Sequence, residues 1–247
     1  NFLNALGIMD IDEYSGRFWD NTPVKRREMA QILCNLLNLE PTADAQSRFI
    51  DVADEFRPYI ETVVREGYMS GYDTSHFGPD DYITVEQALK VFVDILGATG
   101  LAESYGGFPT GYISVARGLD LLNGSWGGLS DTARRIDIAN LIYTAMHADM
   151  LGISAIRGDD VLYSAKPGET FLTEYLDIYC FSGILNANMT TSIDADIGTG
   201  DDTVKIGDQT CRDAQYLTDD YLGCDVTVYV HMPISSAVGD IIYVEQG

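Results

Sequence analysis

Carboxylates are the most abundant groups in this chain that could do chemistry, with 38 Asp and Glu against 15 Lys and Arg and a formal charge of −23. They crowd most tightly in residues 194–202, DADIGTGDD, and clustered carboxylates are what a hard cation such as calcium takes. The run fails the EF-hand pattern, because Gly198 and Thr199 hold its fifth and sixth places and Lys205 its twelfth. A solvated hairpin loop without metal is the expectation. His76, His147 and His231 are scattered, with no second histidine at ligand spacing. Cys34, Cys180, Cys211 and Cys224 show no CxxC spacing, which argues against zinc. Cys34 falls in mid-helix and reads as core, whereas for the other three one disulfide and free thiols both remain open. There is no GxSxG, HExxH, GxGxxG or GKS/T, and nothing singles out one carboxylate pair, so neither an enzyme nor a cofactor is expected. Trp19 and Trp126 precede helical segments in loops. Each either stacks on a sugar face or plugs the edge of a core.

The acidity also excludes partners. A phosphate backbone would meet net repulsion, and no Lys/Arg cluster with interleaved aromatics offsets it, so nucleic acid is not expected. Anionic membranes are disfavoured on the same ground. No apolar run approaches the length that crosses a bilayer, so membrane insertion is not expected either. With 46% hydrophobic residues and 15 Tyr, the chain reads as folded, with a solvated acidic surface.

Positioning comes from a repeated unit. In residues 49–96, Pro58 suits the first helical position, and Ile60, Val63 and Val64 form an apolar stripe at helical spacing. Gly67 and Gly71 then open a loop that runs to Pro79. Thr84 and Gln87 make a capping-box pattern, followed by Val85, Ala88, Leu89, Phe92, Ile95 and Leu96 on one face of a second helix that Gly97 stops. The unit returns on both sides. Upstream, Gly7-Ile8-Met9 aligns with Gly67-Tyr68-Met69, Phe18 with Phe77, Val24 with Ile83, and 26–37 with 85–96. Downstream, Leu121-Leu122-Asn123-Gly124 aligns with Tyr68-Met69-Ser70-Gly71, and 135–146 supplies a third such helix. Apolar positions agree down the columns, for example Leu33, Phe92 and Ile142, or Leu37, Leu96 and Met146. One such unit cannot bury both its faces, so stacking of three is expected.

Through Phe49-x-Asp51-Val52, the Gly67…Gly71 loop, Phe77-x-Pro79 and Ile83-Thr84, the chain resembles the S-layer homology (SLH) modules of bacterial surface proteins, of the Firmicutes, Clostridia type. Gly107-Phe108-Pro109-Thr110-Gly111-Tyr112 looks like part of a third module. The resemblance spans about residues 2–151. It implies modules at about 1–39, 49–97 and 107–151, packed as a triplet around a pseudo-threefold axis with the second helices as a central bundle. The first is expected to be truncated at its start, since no Phe-x-Asp-Val precedes Phe2. In this family the modules bind pyruvylated secondary cell-wall polysaccharide in grooves between modules, and the Arg of an Ile-Thr-Arg-Ala-Glu signature helps to hold the acidic ketal. The corresponding positions here are Arg26, Val85 and Arg135. Arg26 and Arg135 are therefore the implied glycan-binding cations, unless they only form surface ion pairs with Glu28 and Asp137. The groove that would rely on Val85 should be silent. Asp51 binds sugar hydroxyls on the same resemblance, or caps the turn that follows it. Trp19 and Trp126 complete the candidate set.

After Leu151 the texture changes. Residues 152–170 read as a connector, and 171–247 as a small antiparallel β domain, sandwich or barrel. Val226, Val228 and Val230 alternate as in a half-buried strand, Gly207-Asp208 makes a tight turn, and 241–244 is a last strand. Two segments of it, 168–175 and 219–223, resemble a β module that follows SLH triplets. The expected fold class is thus α+β in separate domains, a helical triplet followed by the β domain. The implied function is noncovalent attachment of a secreted protein to the cell wall or cell surface by binding an acidic wall polysaccharide. The alternative is that degenerate modules act as a protein–protein scaffold in a surface layer, filament or complex. Other surface-layer proteins would then be the partners, with self-association left open.

Overall fold

The three helices of the repeat are α2 (Arg26–Leu36), α4 (Val85–Ile95) and α7 (Arg135–His147). They belong to a computed structural model that describes residues 2–10, 21–42, 48–122, 127–158, 160–193, 199, 202–213, 216–234, 236 and 238–245. Each helix starts where a side chain at its third position reaches back to the residue before the helix. Glu28 Oε2 accepts from Lys25 N at 2.8 Å, Gln87 Oε1 from Thr84 N at 3.2 Å, and Asp137 Oδ2 from Arg134 N at 2.8 Å. Only Thr84 returns the bond, its Oγ1 accepting from Gln87 N. That completes the reciprocal box, which satisfies two otherwise orphaned amides. The aligned apolar columns are the core: Met29, Ala88 and Ile138 are fully buried, as are Leu33, Phe92 and Ile142. The shorter helices α1 (Phe2–Ala5), α3 (Arg57–Arg65), α5 (Thr99–Ser104) and α6 (Thr110–Gly118) precede or link them.

Just before the three helices, the aligned residues Val24, Ile83 and Ala133 bond to one another in a closed cycle. Val24 N donates to Ala133 O (2.9 Å), Ala133 N to Ile83 O (2.8 Å), and Ile83 N to Val24 O (3.0 Å). A second tier surrounds it: Arg26 N donates to Asp81 O, Val85 N to Asp131 O, and Arg135 N to Thr22 O, at 2.9, 3.0 and 2.9 Å. All three residues of the inner cycle are at most 1% exposed. Their amides have no water to turn to, and the cycle satisfies each donor without leaving an open strand edge.

Close approach elsewhere depends on missing side chains. A Cβ on Gly111 would sit 2.0 Å from the Ala102 carbonyl oxygen, whereas one on Gly118 would meet nothing within 4 Å. Gly111→Ala should therefore lower stability by about 2 kcal/mol through forced separation of α5 and α6. Gly118→Ala should raise it by about 0.5 kcal/mol by removing backbone freedom from the unfolded chain. Urea unfolding of the two variants checks the opposite signs.

Most of the stretch read above as a connector, residues 152–157 and 160–170, lies in two strands. β1 (Asp149–Arg157) and β2 (Asp160–Thr170) pair antiparallel as a two-stranded sheet, with Arg157 opposite Asp160. Leu151 N donates to Leu96 O at 2.9 Å, which fastens the strand to the end of α4. Nearly all of β2 is exposed. A strand that buries neither face carries no alternation, and for that reason its sequence reads as a link.

The chain divides into two compact units, Leu3–Phe171 and Leu172–Gly247. After α8 (Phe171–Leu176), the second contains β3 (Ile178–Ala187), β4 (Thr203–Ile206), β5 (Gln209–Arg212), β6 (Asp225–His231) and β7 (Asp240–Glu245). They close a barrel in the order β3-β4-β5-β7-β6 around Leu185, Val204, Ile206, Val226, Val228, Val230 and Ile241. The barrel is not purely antiparallel: β5 meets β7 parallel at Arg212 and Asp240. Their side chains form a two-point ion pair, Nε–Oδ1 2.5 Å and Nη2–Oδ2 3.0 Å, at this joint. Strand direction at a closing joint depends on which ends meet across the barrel, and alternation within each strand does not encode it.

Candidate functional site

Arg26 begins α2 and extends its guanidinium under the loop that follows α3. Nη2 donates to Ser70 O at 2.7 Å and Nε to Phe77 O at 3.1 Å. The same group lies 4.7 Å from the centre of the Tyr72 ring and 4.5 Å from that of Phe77. Arg26 is 5% exposed. Burial pulls its pKa down, opposed by Tyr72, Asp81 and Asp51 nearby, and a guanidinium remains charged throughout. The arginine is thus a bolt for the loop as well as a charge beside it.

Asp51 holds the other end of that loop. Its carboxylate accepts from Phe77 N at 3.0 Å and from Gly78 N at 2.8 Å, which is the capping arrangement. Desolvation works against ionisation of Asp51, but those amides and its own outweigh it and hold the carboxyl below the usual value. Asp73 tightens the turn, accepting from Ser75 N and His76 N at 2.7 and 2.8 Å. The Ser75 amide is the main reason its pKa falls to about 2, with further help from His76. Both folded values are depressed, so the stabilisation is complete above the ordinary carboxylate value and is lost as pH falls through the folded ones. The loop should therefore loosen between pH 3.8 and about 2. A carboxyl NMR titration of Asp73 with its midpoint at the ordinary value would contradict this.

Between the loop and α4 lies a cavity of about 340 Å³. Arg26 forms part of its wall, with Ser70 and Tyr72 from the loop, Gln87 and Lys90 from α4, and Phe108 at the rim. Two cations and no carboxylate line it, in a chain that carries −23. Lys90 Nζ is held by Asp94 at 2.7 Å and sits 5.2 Å from the Tyr112 ring centre.

Arg135 stands in the equivalent place one repeat away. Its Nη2 donates to Asp10 O at 2.9 Å, the counterpart of the Arg26–Ser70 bond. The cavity beside it, about 330 Å³, is lined by Asp10 and Glu28 as well as Arg135, so its formal charge is negative. The carboxylate expected to pair with Arg135 is engaged by its neighbour. Arg134 Nε and Nη2 bind Asp137 Oδ2 and Oδ1 at 2.8 and 2.7 Å. Val85, at the third equivalent position, is buried and uncharged. The two arginines singled out by the repeat therefore lie in separate, related grooves. Lys90 and Gln87 were missed, and the signal was available: the aligned residues are Gln31 and Asn140 for Lys90, and Glu28 and Asp137 for Gln87. Trp19 and Trp126 lie outside the described residues.

The second unit offers an acidic cleft with Asp202, Asp213, Asp219 and Asp220 in its wall. Two of these carboxylates serve the fold: Asp213 accepts from Tyr216 N and Leu217 N, and Asp219 from Asn188 Nδ2, all at 2.7 Å. Most of the 194–202 run lies outside the described residues. Among the described residues no group of three His, Cys, Asp or Glu side chains is placed to hold a metal, and no helix is long and apolar enough to cross a membrane. All four cysteines are unbridged.

No curated protein matches the chain. A family model does match, over residues 50–89, a span that holds Asp51, the loop that Arg26 bolts and the capped start of α4. That match is to the S-layer homology domain, a module of cell-wall and cell-surface anchoring, and the chain is accordingly one that bears an SLH domain.

Proposed function

We propose that this chain attaches a secreted protein noncovalently to the envelope of a Gram-positive bacterium by capturing an acidic, pyruvylated wall polysaccharide in the Arg26 groove. The observation that carries the reading is electrostatic. In a strongly acidic protein, one cavity is lined by two cations and no carboxylate. Its aromatic rim, Tyr72 and Phe108, suits the apolar face of a sugar ring. With Nε and Nη2 engaged by the loop, Nη1 is the nitrogen a ligand carboxylate would meet. The cycle of Val24, Ile83 and Ala133 supports reading the repeats as three SLH-like modules about a pseudo-threefold axis. On this reading the chain binds and does not catalyse, and the Arg135 groove, with Asp10 and Glu28, takes no acidic ligand.

A second reading is an assembly scaffold. It is favoured by the exposed apolar residues Ile153, Ile156, Val161 and Leu162 near the tip of the β1–β2 hairpin, the first two 60% and 68% exposed. Cosedimentation with purified Gram-positive sacculi, untreated and after mild acid removal of pyruvate ketals, separates the two. Binding that disappears on treatment supports glycan capture. Absence of binding together with ordered self-association supports the scaffold.

A further inference from the structure

Each strand of the β1–β2 hairpin has an outer edge, and the two edges differ. On β1 the edge is closed twice. Leu151 N is already given to Leu96 O, and Ser154 is an extra residue where the register slips between Ile153 and Ala155. Such a bulge twists an edge away from further pairing. β2 has neither device from Asp160 to Ala165. Every residue there has a partner in β1, and among the described residues no strand lies on its other side. The strand is also held in place, since a Cβ on Gly100 of α5 would sit 2.0 Å from the Tyr163 hydroxyl.

Two bonds give the direction of the β2 amides. Leu151 stands opposite Ala165 and points its N–H away from β2, to Leu96, so the amide of Ala165 points away from β1 as well. Leu162 O, by contrast, accepts from Ser154 Oγ of β1 at 3.2 Å. With a period of two, Val161, Tyr163 and Ala165 direct N–H and C=O outward, and Asp160, Leu162 and Ser164 direct theirs to β1. Pro167 is the next outward position, and with no amide hydrogen it marks where further pairing stops.

We infer that two copies of this chain associate through this edge, β2 against β2, antiparallel about Tyr163. Tyr163 then pairs with its own counterpart and Val161 with Ala165 of the second copy, each pair exchanging two backbone hydrogen bonds. Charge selects this register. In residues 160–168, DVLYSAKPG, Asp160 and Lys166 are the only charged side chains, and the twofold axis sets Asp160 of each copy opposite Lys166 of the other. Within one copy they lie about 20 Å apart along the strand, too far to serve one another. Lys166 reaches Glu169 at 2.6 Å, an exposed contact that is worth little and is readily exchanged. Arg157 stands on the β1 side of Asp160, so the sign alternates across the sheet. Val161 and Leu162, 42% and 39% exposed, lie within the paired segment and become covered. This pairing rests on the scaffold reading and gives it a geometry.

Sedimentation velocity over a concentration series, with hydrogen exchange on the same samples, tests it. Wild type should pass from monomer to dimer. As it does, the amides of Val161, Tyr163 and Ala165 should slow, while those of Leu162 and Ser164, bonded within the hairpin, stay unchanged. Asp160→Lys and Lys166→Glu should each weaken the dimer by about tenfold, because each sets like charges opposite one another on both sides of the axis. Mixed in equal amounts, the two variants should associate with each other about as well as wild type does with itself, since every facing pair is again of opposite sign. Thermal unfolding checks that both variants fold. Self-association indifferent to both exchanges, or variants whose mixture stays monomeric, would overturn the edge pairing and leave the scaffold reading standing. A wild type that stays monomeric throughout would remove both, and glycan capture is untouched by either result.

Discussion

Arg26→Ala should destabilise the helical unit by about 3 kcal/mol and abolish acidic-glycan binding with it. The stability loss has two sources. The carbonyls of Ser70 and Phe77 lose their donor, and a cation is removed from between the rings of Tyr72 and Phe77. A buried acceptor left unsatisfied costs about 1–3 kcal/mol, and a desolvated cation–π contact adds about 1–2 kcal/mol. Arg135→Ala is the matched comparison. Its counterpart bond, to Asp10 O, is exposed, so the expected loss is smaller, about 1 kcal/mol, with glycan binding retained. Urea unfolding followed by tyrosine fluorescence gives both values. Equal losses would mean that Arg26 does not bolt the loop.

Ala133→Pro should have an effect of similar or larger size. Proline has no amide hydrogen, so the bond from Ala133 N to Ile83 O is lost, and the ring would press on the carbonyl it replaces the bond to. The expected cost is about 3 kcal/mol or more. It should spread beyond the substituted residue, because Val24, Ile83 and Ala133 each donate to the next. Hydrogen exchange reads this directly. In the wild type the amides of Val24, Ile83 and Ala133 should be among the slowest of the helical unit. In the variant those of Val24 and Ile83 should exchange much faster. Slow exchange retained at both would show that the three bonds are independent.

The helices were legible because burial there is one-sided. Val85, Ala88, Leu89 and Phe92 fall on a single face, and the columns they share with α2 and α7 are the residues that the fold buries. The β strands of the second unit were legible where they alternate, as at Val226, Val228 and Val230. The β1–β2 hairpin was not, since a strand with both faces exposed carries no period. The parallel joint of β5 and β7 was not either, because pairing direction is a property of two segments distant in the chain.

For the candidate site the division is similar. The sequence by itself determined the repeat, the capped helix starts, and the positions of Arg26, Val85 and Arg135 within them. It also carried the substitutions of charge at Lys90 and Gln87, although nothing local marked those two as facing a cavity. Only the tertiary structure decided that Arg26 reaches the loop of the following repeat and not a surface carboxylate, and that Asp51 ties that loop by its amides. It also decided that Asp10 and Glu28 share a groove with Arg135. The physical reason is that a helical period fixes which face a side chain occupies, whereas the sign of the field in a groove is a sum over residues from different repeats, and that sum exists only once the repeats have packed.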